Sequence, residues 1–529
     1  MKTNPNRFWF IVIFLGWAFD FLFWEKPPGI NFFLYVVLCL GTGIYLLKTD
    51  GLRLSPRSSL LLFPIAFLSA VTFFRQEPMT VFLSIAMTLF LMGVFALTYL
   101  NGGWIRYGLL DYFLGYLRLF GSMLVRPLGF SAEVKKEQPS TGEKRSSRVW
   151  SVVRGIVIAL PVIAVFASLL SAADPIFEKR FADFIELFNI DNLPEYIFRL
   201  VYILIFAYAL AGTYLHAAQK SGERVEEKSL ISPFLGFTES SIVLGSVVIL
   251  FVVFVVIQFQ YFFGGQANIN LEGYTYSTYA RKGFGELVAV AFFSLLMLLG
   301  LGAITKRENE TQRKTFSGFG VTLVVLVIVM LVSAFQRLVL YEFAYGFSRL
   351  RTYTHVFMIW LGLLLVAVVV LEVLRRERII GLTMVLASLG FVVSLGVLNV
   401  DGFIVRQNIQ RELSGLADDA FTQGRPDLDA QYFLDLSDDA VPALVDGFMN
   451  QSLPANVREK IGAALVCKRY ERKGDKYLPW QSFHLSRLFA DNAFEQINEA
   501  LDEYTLITAD RSLTVKTPGG EEFSCWQYY

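Results

Sequence analysis

About eleven strongly apolar segments punctuate the chain, each near the ~20 residues that cross a bilayer as a helix. They run near Phe8 to Trp24, Gly29 to Leu47, Ser59 to Phe74, Met79 to Leu100, Val152 to Ala172 and Glu195 to Ala217. Five more lie near Thr238 to Phe262, Phe284 to Ile304, Ser317 to Phe335, Thr352 to Leu374 and Ile379 to Leu398. The pattern predicts an all-α fold, a polytopic integral membrane helical bundle whose odd number of spans puts the termini on opposite sides. Between the fourth and fifth spans, Asp111, Gly115, Arg118, Ser122 and Arg126 recur at helical spacing, with Phe113, Leu114, Leu117, Phe120 and Leu124 opposite them. This is the signature of an in-plane amphipathic helix. Ser131 to Ser147 is polar and aperiodic and predicts a mobile cytoplasmic loop, whose basic residues fit the positive-inside bias ahead of the alternative, a regulatory or lipid-binding role.

Past Leu398 the period shortens into amphipathic helices with polar connections. Ser437, Asp438 and Asp439 read as a helix start with Pro442 in the first turn. Further helices are expected from about Ala455 to Arg472, stopping at Gly474, and from about Ser482 to Tyr504; Thr514 to Tyr529 has a strand-like or disordered composition. The expected organisation is a four-span region with its in-plane helix over 1–130, the basic loop over 131–149, a seven-span core over 150–398 and a small acidic C-terminal α-helical soluble domain over 399–529.

Composition agrees with the spans: 54% hydrophobic residues, 15% aromatic and a mean hydropathy of +0.50 exceed what a soluble globule carries. The net charge of +1 hides a division, because residues 399–529 hold roughly 13 basic and 21 acidic groups while the membrane half is basic. Lys2 and Arg7 precede an apolar run, but that run contains Asp20 and lacks a small-residue cleavage site, so it reads as a retained span. With the N-terminus inside, the inner loops carry roughly 24 Lys or Arg against roughly 10 outside. The acidic C-terminal domain then falls outside the cytoplasm.

Three cysteines show no CxxC spacing, and His216, His355 and His484 are scattered, so no metal site is expected. An external C-terminal domain makes Cys467 and Cys525 a candidate disulfide, their proximity being undetermined by sequence. Walker A, GxSxG, HExxH and nucleotide-binding glycine fingerprints are missing; no catalytic residue or cofactor is expected, and the reading leans away from an enzyme.

Ionisable residues at membrane depth cost several kcal/mol unless they are paired or face water. Asp174, Arg199, Arg281, Glu286, Arg337, Glu342, Arg349, Arg351, His355 and Asp401 all fall at outer span ends, where several spans would contribute to one polar vestibule. Within Tyr274 to Val290 a Tyr-rich loop leads into a helix carrying Arg281, Lys282 and Glu286, an arrangement suited to an anion or headgroup. Asp174, Tyr279, Arg281, Glu286, Arg349 and Arg351 are the candidate ligand-binding residues. The competing reading is an aromatic belt with interhelical ion pairs. Asp174 before Pro175 equally suits an ordinary helix stop, and Asp20 calls for a buried partner or a short first span.

The strings SAADPIF (Ser171 to Phe177), TYARKGFGELVAVA (Thr278 to Ala291) and YGFSRLRTYTHVFMIWLG (Tyr345 to Gly362) resemble a bacterial family of polytopic membrane proteins, the domain of unknown function four-one-seven-three. LNVDGFIVRQNI (Leu398 to Ile409) and YFLDLSDDAVPALV (Tyr432 to Val445) are similar too, so the likeness covers roughly Trp150 to Arg487. It implies a bacterial multi-span protein and no particular activity. Three roles follow: a structural, sensory or assembly component of the cell envelope; a transporter or lipid flippase for a small anionic or lipid substrate; and, last, a membrane glycosyltransferase or ligase, disfavoured because the first external loop is only Glu25 to Pro28. The expected partners are the lipid bilayer and, at the outer face, an envelope protein or lipid headgroup. Nucleic acid is not expected, and the oligomeric state is left open.

Overall fold

The computed structural model describes residues 4–137, 159, 163, 166–186, 193–219, 233–262, 284–376, 379–414, 428–474, 478–509 and 512–525. The helices are α1 (Pro5–Phe23), α2 (Ile30–Thr49), α3 (Leu62–Phe74), α4 (Pro78–Thr98), α5 (Leu109–Glu137), α6 (Pro175–Glu186) and α7 (Leu193–Ala217). They continue with α8 (Phe237–Phe262), α9 (Phe284–Ile304), α10 (Glu310–Tyr345), α11 (Arg349–Val373), α12 (Ile380–Leu398) and α13 (Val400–Leu413). After these come α14 (Val441–Met449), α15 (Ala455–Gly474), α16 (Leu485–Leu501) and strands β1 (Thr505–Ala509), β2 (Ser512–Lys516) and β3 (Glu522–Ser524). Among the described residues, ten helices are long and apolar enough to cross a membrane. The chain is an all-α, multi-pass membrane bundle; the expected fifth span, Val152 to Ala172, lies mostly outside the described residues.

The chain divides into two compact units. The first comprises residues 1–24, 38–53 and 118–219. Here α1 lies against α7 so closely that a Cβ on Gly16 would stand 2.4 Å from the Ile203 carbonyl oxygen. Phe19 stacks on Phe206 with centroids 3.9 Å apart. The partner that buried Asp20 requires is the half-buried Arg199, whose Nε and Nη2 donate to its two carboxylate oxygens at 3.0 and 2.7 Å. Without that fork a bare carboxylate inside a span would cost several kcal/mol. The C-terminal part of α5 presents Phe120, Leu124, Val125 and Leu128 outward and buries Ser122, as its amphipathic period requires.

The second unit comprises residues 25–37, 54–117 and 220–529. Its apolar core runs through α8, α9, α10 and α11, with Leu323, Val327, Ala334, Leu338 and Leu365 sealed from solvent. The helix α10 extends well beyond the span expected at Ser317 to Phe335, at both ends. A second core joins the span ends to the C-terminal region without a break, from Leu395 and Val400 through Phe433, Leu444 and Ile461 to Val515.

That C-terminal region departs from an all-helical reading, because β1, β2 and β3 form a three-stranded antiparallel sheet. Leu513 and Val515 of β2 are buried, and Val515 pairs with Leu506 on one side and Phe523 on the other, so the alternation that marks the tail as strand-like extends back to Thr505. Cys467 of α15 and Cys525 after β3 are joined by a disulfide, their Cα atoms 5.4 Å apart.

Candidate functional site

The polar residues that converge in the second unit lie where α3, α4, α11 and α13 meet the segment Tyr432 to Ala440. Glu77 precedes Pro78, which starts α4 with a ring that needs no N–H partner. Its carboxylate caps that helix: Oε1 accepts from the Met79 N–H at 2.9 Å and Oε2 from the Thr80 N–H at 2.7 Å and the Thr80 hydroxyl at 2.5 Å. The Tyr353 hydroxyl of α11 also donates to Glu77 Oε1.

One turn earlier on α11, Arg349 forks onto Asp401 in the first turn of α13, Nε to Oδ1 at 2.8 Å and Nη2 to Oδ2 at 2.6 Å. Asp401 Oδ2 also accepts from the Ser437 N–H at 2.7 Å, and the Arg349 N–H donates to the Tyr432 hydroxyl at 2.9 Å. One spanning helix, α11, and the C-terminal region therefore share one charge pair.

Asp439 closes the circuit. Its Oδ2 accepts from the Gln76 N–H at 2.7 Å, the Glu77 N–H at 3.1 Å and the Ser437 hydroxyl at 3.2 Å. Oδ1 is buried without a hydrogen-bond partner among the described residues, and Arg75 Nη1 stands 3.9 Å from it. Burial, reinforced by the Asp401 charge, outweighs the lowering by the Gln76 and Glu77 N–H groups and Arg75, and pushes the Asp439 carboxyl up to about 6.

The surrounding backbone is equally tied. Asn399 takes the left-handed conformation at φ 51°, caps α13 through the Gly402 N–H at 3.1 Å and donates to the Asp439 carbonyl at 3.2 Å. Lys468 is buried and donates to the Leu434 carbonyl at 3.2 Å and to that of Leu436; burial lowers its ammonium. Arg472 pairs with Asp438 and Asp491.

Of the residues singled out by sequence, Arg349 is central to this cluster. Arg351, half a turn on, donates to the carbonyls of Tyr345 and Gly346 and lies 4.1 Å over the Tyr341 ring. Glu286 is exposed in the first turn of α9. Asp174 belongs to the first unit, where it is exposed and accepts from the Ile176 N–H at 2.8 Å, the geometry of an ordinary helix cap. Tyr279 and Arg281 lie outside the described residues. Arg75 and Glu77 escaped the sequence reading, and Asp439 entered it only as part of a helix start. Glu77 before Pro78 carries a capping signature, but its tertiary partners are remote in sequence.

The sequence matches the family described as a domain of unknown function, DUF4153, over residues 62–447. The chain belongs to this family. The DUF4153 region begins upstream of the strings that first suggested it, takes in α3 and α4, and ends in α14. It thus contains Arg75, Glu77, Arg349, Tyr353, Asp401, Ser437 and Asp439, while both cysteines of the disulfide fall beyond it. No curated protein and no solved structure matches the chain.

Proposed function

We propose that this DUF4153 protein is a structural or sensory component of the bacterial cell envelope, seated in the cytoplasmic membrane with its N-terminus inside and its C-terminal domain outside. The observation that carries this reading is the Arg349–Asp401–Ser437 junction, continued by Asp439 onto Gln76 and Glu77, which ties the C-terminal domain to the ends of three spanning helices. Both oxygens of Asp401 and of Glu77 are taken up by donors of the protein, an arrangement suited to holding a position rather than to turning over a substrate. Asp439 is the member able to respond, since its Oδ1 has no hydrogen bond among the described residues and its carboxyl titrates in the range an envelope experiences. The basic inner loops support the orientation, as does the disulfide, a bond that persists in oxidising compartments.

A second reading, a transporter or flippase, draws on Glu342 of α10, a buried carboxylate whose Oε1 stands 3.1 Å from His355 Nδ1 of α11. Ionisable pairs inside spans mark ion or proton paths in many carriers. The two readings separate in cells by comparing Arg349→Gln, Glu342→Gln and a chain ending at Leu398. The envelope reading expects Arg349→Gln to reproduce the envelope defect of the shortened chain while Glu342→Gln stays near wild type. A defect confined to Glu342→Gln, with the shortened chain functional, would overturn it in favour of transport.

A further inference from the structure

The turn between α10 and α11 is flanked by two guanidinium groups that the junction above does not use. Gly346 takes φ 77°, and a Cβ there would stand 2.7 Å from Asn408 Oδ1 and 3.4 Å from Arg411 Nη1. Asn408 locks the turn by accepting from the Phe347 N–H at 2.7 Å and donating to the Phe347 carbonyl at 3.0 Å. Arg351 reaches the same turn from α11 through the carbonyls of Tyr345 and Gly346.

Arg411 of α13 is the anomaly. Its Nε and Nη1 are buried and have no hydrogen-bond partner among the described residues. Burial lowers its guanidinium, the adjacent Glu412 offsets part of that, and the nearby Arg351 charge lowers it further. Two buried N–H donors of one guanidinium left unused, with a second guanidinium across the turn, are what an anion would satisfy; guanidinium forks match the oxygens of a phosphate.

The rim of this turn is apolar. Leu350 is 70% exposed, Tyr345 49% and Leu413 41%, and all three sit within two residues of Gly346, Arg351 or Arg411 in sequence. Apolar side chains beside paired cations at the end of two spanning helices are what a phospholipid presents a need for: acyl chain on one side, phosphodiester on the other. The Glu342–His355 pair lies on the same two helices.

We propose that Arg351 and Arg411, across the Gly346 turn, bind the phosphodiester of an anionic lipid headgroup. The inference rests on the multi-pass fold alone, so it stands or falls apart from the envelope role and from which side faces outward. The test uses the full chain in a neutral detergent, with retention of phosphatidylglycerol and phosphatidylcholine read by native mass spectrometry and folding followed by thermal unfolding of the same samples. Wild type is expected to retain phosphatidylglycerol over phosphatidylcholine, and Arg411→Gln to reduce that preference about fivefold, the effect of one cation near a headgroup. Arg376→Gln, an exposed cation on the connection after α11, should leave it unchanged.

Equal retention of the two lipids by wild type, or a preference that survives Arg411→Gln, would overturn the proposal. Displacement of the lipid by millimolar inorganic phosphate in an Arg411-dependent manner would overturn the lipid assignment and point to free phosphate. Should Arg411→Gln fail to fold, Arg411→Lys keeps the charge and removes the fork; it is expected to weaken the preference, and an unchanged preference in that variant would contradict fork recognition.

Discussion

Arg349 and Asp401 meet in a two-pronged ion pair across 52 positions of sequence, with a fully buried carboxylate between a spanning helix and the domain that follows the last span. The pair stands at the boundary of two environments. On one side are helices long and apolar enough to cross a membrane; on the other is the C-terminal region with its disulfide, whose apolar core is continuous with the span ends.

Removing one partner leaves the other charge buried and uncompensated. Arg349→Gln is therefore expected to destabilise the second unit by about 3–5 kcal/mol. Replacing both residues together, as Arg349→Met with Asp401→Leu, should cost clearly less than the sum of the single changes. Thermal unfolding of the four proteins in a double-mutant cycle measures this coupling; additive effects would show that the pair is not a unit.

Asp439 makes the junction sensitive to pH with a definite sign. Its carboxyl titrates near 6 in the fold against an ordinary value of 3.8, so between these values the native state holds a proton that the unfolded chain has released. Stability from this group is fully present below 3.8 and is lost as pH rises through about 6. The loss is at most about 3 kcal/mol. Asp439→Asn should flatten that part of the stability profile between pH 4 and 7, as read by unfolding midpoints across a pH series.

How much of this was legible in sequence follows from the range of each signal. Spans announce themselves through ~20 consecutive apolar residues, and α7, α8 and α9 begin or end within a few positions of where hydropathy puts them. The end of α15 at Gly474 follows from a local stop signal, and Arg349 and Asp401 stood out as charges at span ends. Their pairing did not, nor did the contact of Asp439 with Gln76 across 363 positions, because a hydrogen bond between remote segments leaves no trace in the local period of either. Ser437, Asp438 and Asp439 look like any helix start, and indeed the Ser437 hydroxyl accepts from the Asp439 N–H at 3.3 Å. The same three residues also carry the junction.

The disulfide closes the sheet onto α15. Cys467→Ser or Cys525→Ser is expected to cost the C-terminal domain about 2–5 kcal/mol. Hydrogen exchange should locate the loosening in β1 to β3 and α15, leaving α8 to α11 protected; uniform loosening of the spans would contradict a disulfide that acts locally.

In the first unit, close approach of α1 and α7 depends on Gly16. Gly16→Leu must push the helices apart, stretch the Asp20–Arg199 fork and lower stability by more than the 1–3 kcal/mol usual for overpacking. Cysteine cross-linking between positions on the two helices would register the separation as lost efficiency.

The central claim, an external domain held to the span ends, is tested most directly by labelling Ser452→Cys in a Cys39→Ala background with a membrane-impermeant maleimide. Ser452 is exposed in the connection between α14 and α15, away from the disulfide. The account predicts labelling in intact cells. Labelling that appears only after lysis, with an exposed control thiol labelled normally, would place the domain in the cytoplasm and contradict it.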